Sequence, residues 1–590
     1  MALRLLFDVL LPALLCLPGL YLLHLLFTSL LDLRKNYQAA KTIGLEGGAR
    51  PILTPVYEVN FLYKLTLPLH EPIIRFFGLA DSLYWQLFFM DWCFKTRHDQ
   101  FKQRGTDIIT TVSPLRTVLT TANAEVAYQL GSRFEKPVHL YSRVSFMGEN
   151  VVASEGAQWR RLRKILQRPF NEAVMSTVWQ ATLDQSIPLR KKWCDAAEEG
   201  VNVERDIPRM ALGVLCGAGF GVTIPFDSDG KQELPPGDEF FASSTPTPGF
   251  HFNFGDVLAF LLSNIVTVLA TKALLPAWLL RHGPVPRKWK NGAKALEETR
   301  NYIQKLVDRE RRRNETAYYQ QEGHHSNLLT ILTNPESSGG LTEDEQIANT
   351  FIMVLAGHET SAGILRYSLV LLALFEDKQD WFLKELDQAL AGIEPEDWTY
   401  DKLFPRLSCC LCIMNEALRL FPGVPVLPKW CPTPTTLKYN QKILHIPAGT
   451  MINISLPALQ QNPKYFGAKS YEFRPEVWDA RSSTGWTEET SNQPIDEGMA
   501  LPYRYIRKPI PGSYVPFSEG RRACLGKKFA QIEFCLVLAI LFQKHRVKLV
   551  LKPGESKDAA KARCWRVLRG SLSLLSLQMQ EQVPVKWVRR

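Results

Sequence analysis

The chain has 590 residues, 46% of them apolar, so it can bury a large core. Its formal net charge of +11 is a mild excess with no dense Lys/Arg tract interleaved with aromatics. That excludes a nucleic-acid partner and leaves an anionic membrane or an acidic protein. Eleven scattered cysteines, an odd number, exclude a disulfide framework. Cys409, Cys410 and Cys412 lack a second pair at zinc-ligand spacing and read as small apolar helix residues.

In chain order, the run from Val9 to Leu31 is overwhelmingly apolar, though broken by Pro12, Pro18, Gly19, Tyr21, His24, Thr28 and Ser29. Its roughly 23 residues suffice to span a hydrocarbon core of about 30 Å. It is longer than the apolar core of a signal peptide and lacks a small-residue cleavage site. Arg34, Lys35, Lys41 and Arg50 follow it, while only Arg4 and the amino terminus precede it. The positive-inside rule then leaves the bulk of the chain in the cytosol, where free thiols persist. The expected organisation is an anchor over 1–35, a hinge region over 36–70 and one large catalytic domain over 71–590. The stretch GLEGGARPILTP at 44–55 marks the hinge.

Residues 71–94 are apolar and aromatic and suit either core packing or a second membrane contact. Residues 120–200 read as mostly helical, and 228–250 as a long polar surface connection. Gly217–Gly221 is not a GxGxxG fingerprint and reads as a helix-ending turn. The apolar run Val257–Ala270 is too short to span a bilayer. It is either a buried helix or a membrane-dipping flap at a substrate entrance. Thr342 with Glu345 forms a capping-box pattern, and Glu343 and Asp344 favour the positive end of a helix dipole. The pattern predicts a core helix to about Glu376, roughly 50 Å long at 1.5 Å per residue. Residues 482–513 are again polar and turn-rich, and no internal repeat is present.

Four motifs carry chemistry. The sharpest is Phe517-Ser-Glu-Gly520-Arg-Arg522-Ala-Cys524-Leu-Gly526. A ligating thiolate must stand proud of the backbone, be shielded from water and receive N–H donors, and glycines at 520 and 526 permit close approach and unusual dihedrals. The second, Ala356-Gly357-His358-Glu359-Thr360-Ser361, puts an acid and hydroxyls inside an apolar helix, which is costly unless used. Such hydroxyls can bond to the preceding turn and bend the helix. It is not a zinc-protease helix, because Ala362 stands where the second histidine of HExxH belongs. The third, Glu416-Ala-Leu-Arg419, pairs two charges on one helix face in an apolar context. The fourth is Gly156-x-x-Trp159-x-x-x-Arg163, whose Trp and Arg share a helix face.

Together these segments resemble the cytochrome P-450 family, from about residue 50 to the C-terminus. Five matching positions in the cysteine loop arise by chance at an order of one in ten thousand at average residue usage. The resemblance implies a mainly α fold with a minor β portion, behind an N-terminal transmembrane helix. It implies heme b (iron protoporphyrin IX) with Cys524 as axial ligand, Phe517 covering the loop, and Arg522, Trp159, Arg163 and Lys429 toward the propionates. Glu359 and Thr360 would deliver protons to bound dioxygen, and Glu416 and Arg419 would lock the underside of the ligand loop. The family's third partner for that pair is an arginine, but Phe473-Arg474-Pro475-Glu476-Val477-Trp478 carries Val477 there. With no NAD(P) or flavin motif in the chain, electrons are expected from an NADPH-cytochrome P-450 reductase, with Arg521, Lys527 and Lys528 as bases that could face it.

The implied function is monooxygenation of a lipophilic small molecule. The implied setting is the endoplasmic reticulum membrane, single-pass with the catalytic domain facing the cytosol. The chain's length and its polar insert before the cysteine loop resemble filamentous fungal members that tailor natural products. Two alternatives stand beside this reading: a heme-thiolate isomerase or dehydratase needing no external electrons, and a non-catalytic heme-binding membrane protein. Substrate, position attacked and oxidation type are not readable from the sequence.

Overall fold

The computed structural model describes residues 11–45, 51–54, 61–89, 91–196, 200–226, 239–243, 245–315, 327–334, 340–573 and 575–590. Val9 and Leu10 of the apolar run, part of the 44–55 hinge and most of the 228–250 connection lie outside them. Two units are formed: Met1–Pro137 with Val426–Leu459 and Pro511–Ser513, and Val138–Pro425 with Gln460–Ile510 and Tyr514–Arg590.

In the first unit, helix α1 (Leu11–Lys41) is held in its last turns by Asn36, which donates to the carbonyls of Ser113 and Pro114 at 3.0 and 3.1 Å. It exposes Tyr21, Leu26, Phe27 and Leu30. No helix among the described residues is long and apolar enough to cross a membrane. His24, Thr28, Ser29, Asp32, Arg34 and Lys35 dilute the later turns of α1. Helix α2 (Phe61–Phe76) leads to exposed Phe76 and Phe77, whereas Phe88, Phe89, Trp92 and Phe94 are buried. The 71–94 segment thus divides between surface and core.

The sheet of this unit has strand order β1-β2-β3-β7-β4. It uses β1 (Ile52–Leu53), β2 (Ile108–Val112), β3 (Thr117–Thr121), β4 (Val426–Cys431) and β7 (Thr450–Ser455). β2 and β3 form an antiparallel hairpin, β3 pairs β7 in parallel with Val118 opposite Met451, and β4 pairs β7 antiparallel with Lys429 opposite Ile452. Every residue of β2, β3 and β7 is buried, which is why they read as β-branched runs rather than alternating patterns. Strands β5 (Thr435–Tyr439) and β6 (Lys442–Ile446) make a separate hairpin, turned at Asn440 and Gln441 with φ of 48° and 64°.

The second unit is helical. Its elements include α3 (Gly156–Leu166), α4 (Glu172–Asp195), α5 (Val203–Phe220), α6 (Phe254–Ser263), α7 (Ile265–Leu274), α8 (Arg287–Glu315), α9 (Glu343–Leu374), α10 (Glu376–Leu390), α11 (Ser408–Leu420), α12 (Lys527–Phe542) and α13 (Lys557–Arg569). Small antiparallel pairs join β8 (His545–Leu549) to β11 (Val585–Arg589), and β9 (Leu572–Ser573) to β10 (Leu577–Gln578). The expected long core helix is α9. Its Thr342 hydroxyl accepts from Glu345 N–H at 3.3 Å, and the Thr342 N–H donates to the Glu345 carboxylate at 3.0 Å. α5, α11 and α12 pack around it.

Three sequence expectations change or gain detail here. The apolar run 257–270 is two helices, because Asn264 donates back to Phe260 O at 2.8 Å and leaves helical geometry. The Gly217–Gly221 turn ends α5 with Gly221 at φ 61°, the left-handed cap a glycine supplies freely. The polar 482–513 segment is ordered around buried Arg507, whose guanidinium donates to the carbonyls of Val477, Asp479, Ser482 and Thr490. Buried carbonyls need such donors when no regular ladder serves them.

Candidate active site

The cysteine loop turns on two left-handed residues, Ser518 at φ 59° and Gly520 at φ 67°. Glycine takes this conformation at no steric cost; serine pays about 1 kcal/mol for it. Cys524 N–H donates to Phe517 O at 2.8 Å and closes the loop, and α12 begins directly after Gly526. Cys524 is the one exposed cysteine among those described; the others are buried or half-buried. Gly526 has an ordinary φ of −83°, so the unusual dihedral expected there is absent. A Cβ at Gly526 would meet no atom of the chain within 4 Å. The chain's own packing therefore does not require glycine there.

Two guanidinium groups, Arg163 and Arg522, belong to this loop's surroundings. Arg163, in the last turn of α3, donates to Ala523 O at 2.7 Å. Burial draws its pKa down, the Cys524 charge draws it up and Arg522 draws it down, so the three groups share one electrostatic field. Arg522 lies 3.9 Å from the Trp159 ring centroid, pairs with Glu155 at 2.5 Å and donates to Ser154 O at 2.9 Å. Trp159 is thus the platform of Arg522, although its spacing pairs it with Arg163. Tyr141 belongs to this field too: burial pushes its phenol up to about 12, and Arg522 draws it back. No motif marked Tyr141.

On α9, the Thr360 hydroxyl donates to Ala356 O at 2.6 Å, the back-bond its position suggests, and the helix continues unbroken past it. Ala356 is exposed and Gly357, Glu359 and Thr360 are half-buried, in a helix otherwise buried from Ser361 to Leu374. His358 bonds through Nε2 to Pro208 O at 3.0 Å, and burial pushes it down to about 4, so it is neutral at physiological pH. Burial pushes the Glu359 carboxyl up, and a hydrogen bond from Ser576 partly offsets this. Glu359 borders a cavity of about 1370 Å³ between α5, α6, α9 and the C-terminal hairpin.

Behind the loop, Arg419 grips Glu416 in a bidentate fork at 2.7 and 2.8 Å. Its remaining donors reach the carbonyls of Gln460, Ser470 and Glu472. Glu416 also accepts from Arg474 N–H at 2.7 Å and from the Trp478 indole at 2.8 Å. The third partner is therefore this indole, and Val477 is a buried apolar residue. Burial alone would raise the Glu416 carboxyl; Arg419, Arg474 and Trp478 together hold it below the usual carboxylate range. Gln460 ties the pair to the cysteine loop, since its Oε1 accepts from Val515 N–H at 3.2 Å. Trp478 and Gln460 were invisible to spacing rules. Lys429 lies buried on β4 in the other unit. Cys409, Cys410 and Cys412 are buried on α11, as small apolar helix residues would be.

The family model for cytochrome P450 matches residues 101–563. This chain belongs to the cytochrome P450 family. A cytochrome P450 monooxygenase of Arthrobotrys oligospora is 28% identical over 91% of this chain and 93% of that protein. The phomenoic acid biosynthesis cluster cytochrome P450 monooxygenase of Leptosphaeria maculans is 26% identical over 88% of this chain and 90% of its own length. Among solved structures, the heme domain of cytochrome P450DA superposes with a TM-score of 0.61 at 21% identity, covering 92% of this chain and 97% of that one. The chain is thus a P450 of the monooxygenase kind, in a family whose members carry heme iron. The residues present fit that group: one exposed thiol, two adjacent guanidinium cations for its carboxylates, and small accessible residues at Ala356 and Gly526.

Proposed function

We propose that this P450 is a membrane-anchored monooxygenase that inserts one atom of dioxygen into a lipophilic natural-product intermediate. Its electrons come from an NADPH-cytochrome P-450 reductase. The observation that carries the reading is the thiol of Cys524, the one exposed cysteine among those described, in the electrostatic field of Arg163. Cys524 would hold the iron of heme b through its thiolate sulfur. Arg163 and Arg522, the latter braced on Trp159, would hold its two propionates. Phe517 and Gly520 shape the loop that shields the sulfur, and Glu416 and Arg419 fix the scaffold behind it.

Heme, when bound, supplies dioxygen activation, aided by electron donation from the thiolate. The chain's residues supply the rest. Glu359 exchanges protons with water in the adjoining cavity, and Thr360 holds the hydroxyl that passes them inward. The exposed apolar residues of α1, and the apolar residues that precede them, support anchorage in the endoplasmic reticulum membrane with the catalytic region in the cytosol. The relative named for phomenoic acid biosynthesis supports a place in secondary metabolism.

The test is spectroscopic. Purified holoprotein, reduced and exposed to carbon monoxide, is expected to show the strongly red-shifted Soret band of thiolate ligation. Cys524→Ala is expected to lose that band; its retention would remove the ligand assignment. Turnover of candidate pathway intermediates in microsomes, with and without NADPH and reductase, separates monooxygenation from electron-free isomerisation.

A further inference from the structure

Glu359 and Arg366 stand seven residues apart on α9, two turns along one face, about 10 Å at 1.5 Å per residue. They do not meet directly. The tip of the β9–β10 hairpin bridges them. Arg366 Nη1 donates to Gln578 Oε1 at 2.7 Å, and Gln578 Nε2 donates to Ser576 Oγ at 2.8 Å. Ser576 borders the same cavity as Glu359, and its hydroxyl favours the charged form of that carboxyl, so the hydroxyl is the donor toward it. Every donor in this series points from the cation toward the carboxylate. The inventory is consistent, because a hydroxyl accepts one bond from the amide while giving its single proton onward.

The other end is anchored as well: Arg366 Nη2 binds Glu204 of α5. Arg366 and Ser576 are buried, and burial draws Arg366 down to about 10, still cationic at neutral pH. Gly363 makes room for the strap, since a Cβ there would sit 3.3 Å from Gln578 Nε2. All five side chains border the cavity beside Glu359. Aligned hydrogen bonds polarise one another in a low-dielectric setting, so the series transmits the Arg366 charge to an acid it does not touch.

We propose that Ser576, Gln578 and Arg366 are positioning residues for Glu359, making the C-terminal hairpin part of the proton-handling apparatus. The inference rests on the reading of Glu359 as a proton carrier. A merely structural strap would hold the hairpin to α9 and leave the acid's chemistry unchanged.

The experiment uses full-length holoprotein with reductase and compares Ser576→Ala, Ser576→Thr and Glu359→Gln. The Glu359 carboxyl band, assigned in the infrared by its loss in Glu359→Gln, is titrated in each. Ser576→Ala is expected to move that titration upward by about one pH unit, the effect of one lost hydrogen bond to a charged group. Ser576→Thr is expected to restore it. Glu204, Arg205 and Arg209 of α5, Asp256 of α6, Lys288 of α8, His358 and Arg366 of α9, and Glu581 border the same cavity. None is altered in Ser576→Ala, so the shift reads the missing hydroxyl. In parallel, the fraction of NADPH electrons released as peroxide is expected to rise several-fold in Ser576→Ala and Glu359→Gln, with the carbon monoxide band intact. An unmoved carboxyl titration and unchanged peroxide yield in Ser576→Ala, beside a raised yield in Glu359→Gln, would overturn this inference alone. An unchanged yield in Glu359→Gln would overturn the proton-carrier reading and this inference with it.

Discussion

Trp478→Phe tests the unexpected partner of Glu416. The substitution keeps an aromatic ring beside Trp486 and Tyr514, whose ring centroids both lie 4.6 Å from that of Trp478. It deletes one N–H held 2.8 Å from a carboxylate with no exposed surface. A hydrogen bond to a charged group contributes about 1.5–3 kcal/mol, and the smaller ring adds a packing loss of roughly 1 kcal/mol. The expected cost is thus about 3 kcal/mol. Urea unfolding, followed by circular dichroism and the Soret band, should show a lower midpoint with little change in slope. The Glu416 carboxyl is held low in the folded state, so its contribution is present above the unfolded carboxylate value and lost as pH falls through the folded one. Removing a donor that lowers it should move acid unfolding to higher pH. A variant within about 0.5 kcal/mol of the parent at neutral pH, with the same acid midpoint, refutes the indole's role.

Other outcomes follow from single groups. Arg507→Ala strips four buried carbonyls of their donor and should cost at least about 3 kcal/mol, with early proteolysis confined to 482–513 on limited digestion. Glu533 of α12 is fully buried, with Oε1 unpartnered; burial pushes it up to about 8, only partly offset by Ser361. Above the ordinary carboxylate value the unfolded chain releases that proton and the folded one keeps it, so stability falls as pH rises, by about 1.4 kcal/mol per unit, until about pH 8. Glu533→Gln should flatten that decline in melts between pH 5 and about 8. Arg522→Ala should weaken heme retention, read as faster transfer of heme to apomyoglobin, while leaving the helical circular dichroism spectrum unchanged.

What the sequence disclosed was what short spacing can encode. The Thr342–Glu345 capping box, the Glu416–Arg419 fork and the Thr360 back-bond all lie within four residues of chain, and each is present as read. The cysteine loop was legible because its glycines and cysteine are contiguous. The Trp478 indole is 62 residues from Glu416, and Gln578 is 212 from Arg366. No periodicity links such positions; only the fold makes them neighbours. Trp159 shows the opposite failure, since helical spacing offered Arg163 as its partner while Arg522, far along the chain, took the ring. Asn264 is hidden inside an apolar run, although its side chain competes with the backbone for hydrogen bonds.

The parallel seam between β3 and β7 sets an order of events at birth. Val118 leaves the ribosome more than 300 residues before Met451, its neighbour across the sheet. At about 5–20 residues per second, the β2–β3 hairpin waits some tens of seconds with an open edge. Unpaired edges of strands rich in β-branched residues recruit other chains, so this hairpin is a place where a nascent-chain chaperone would be needed.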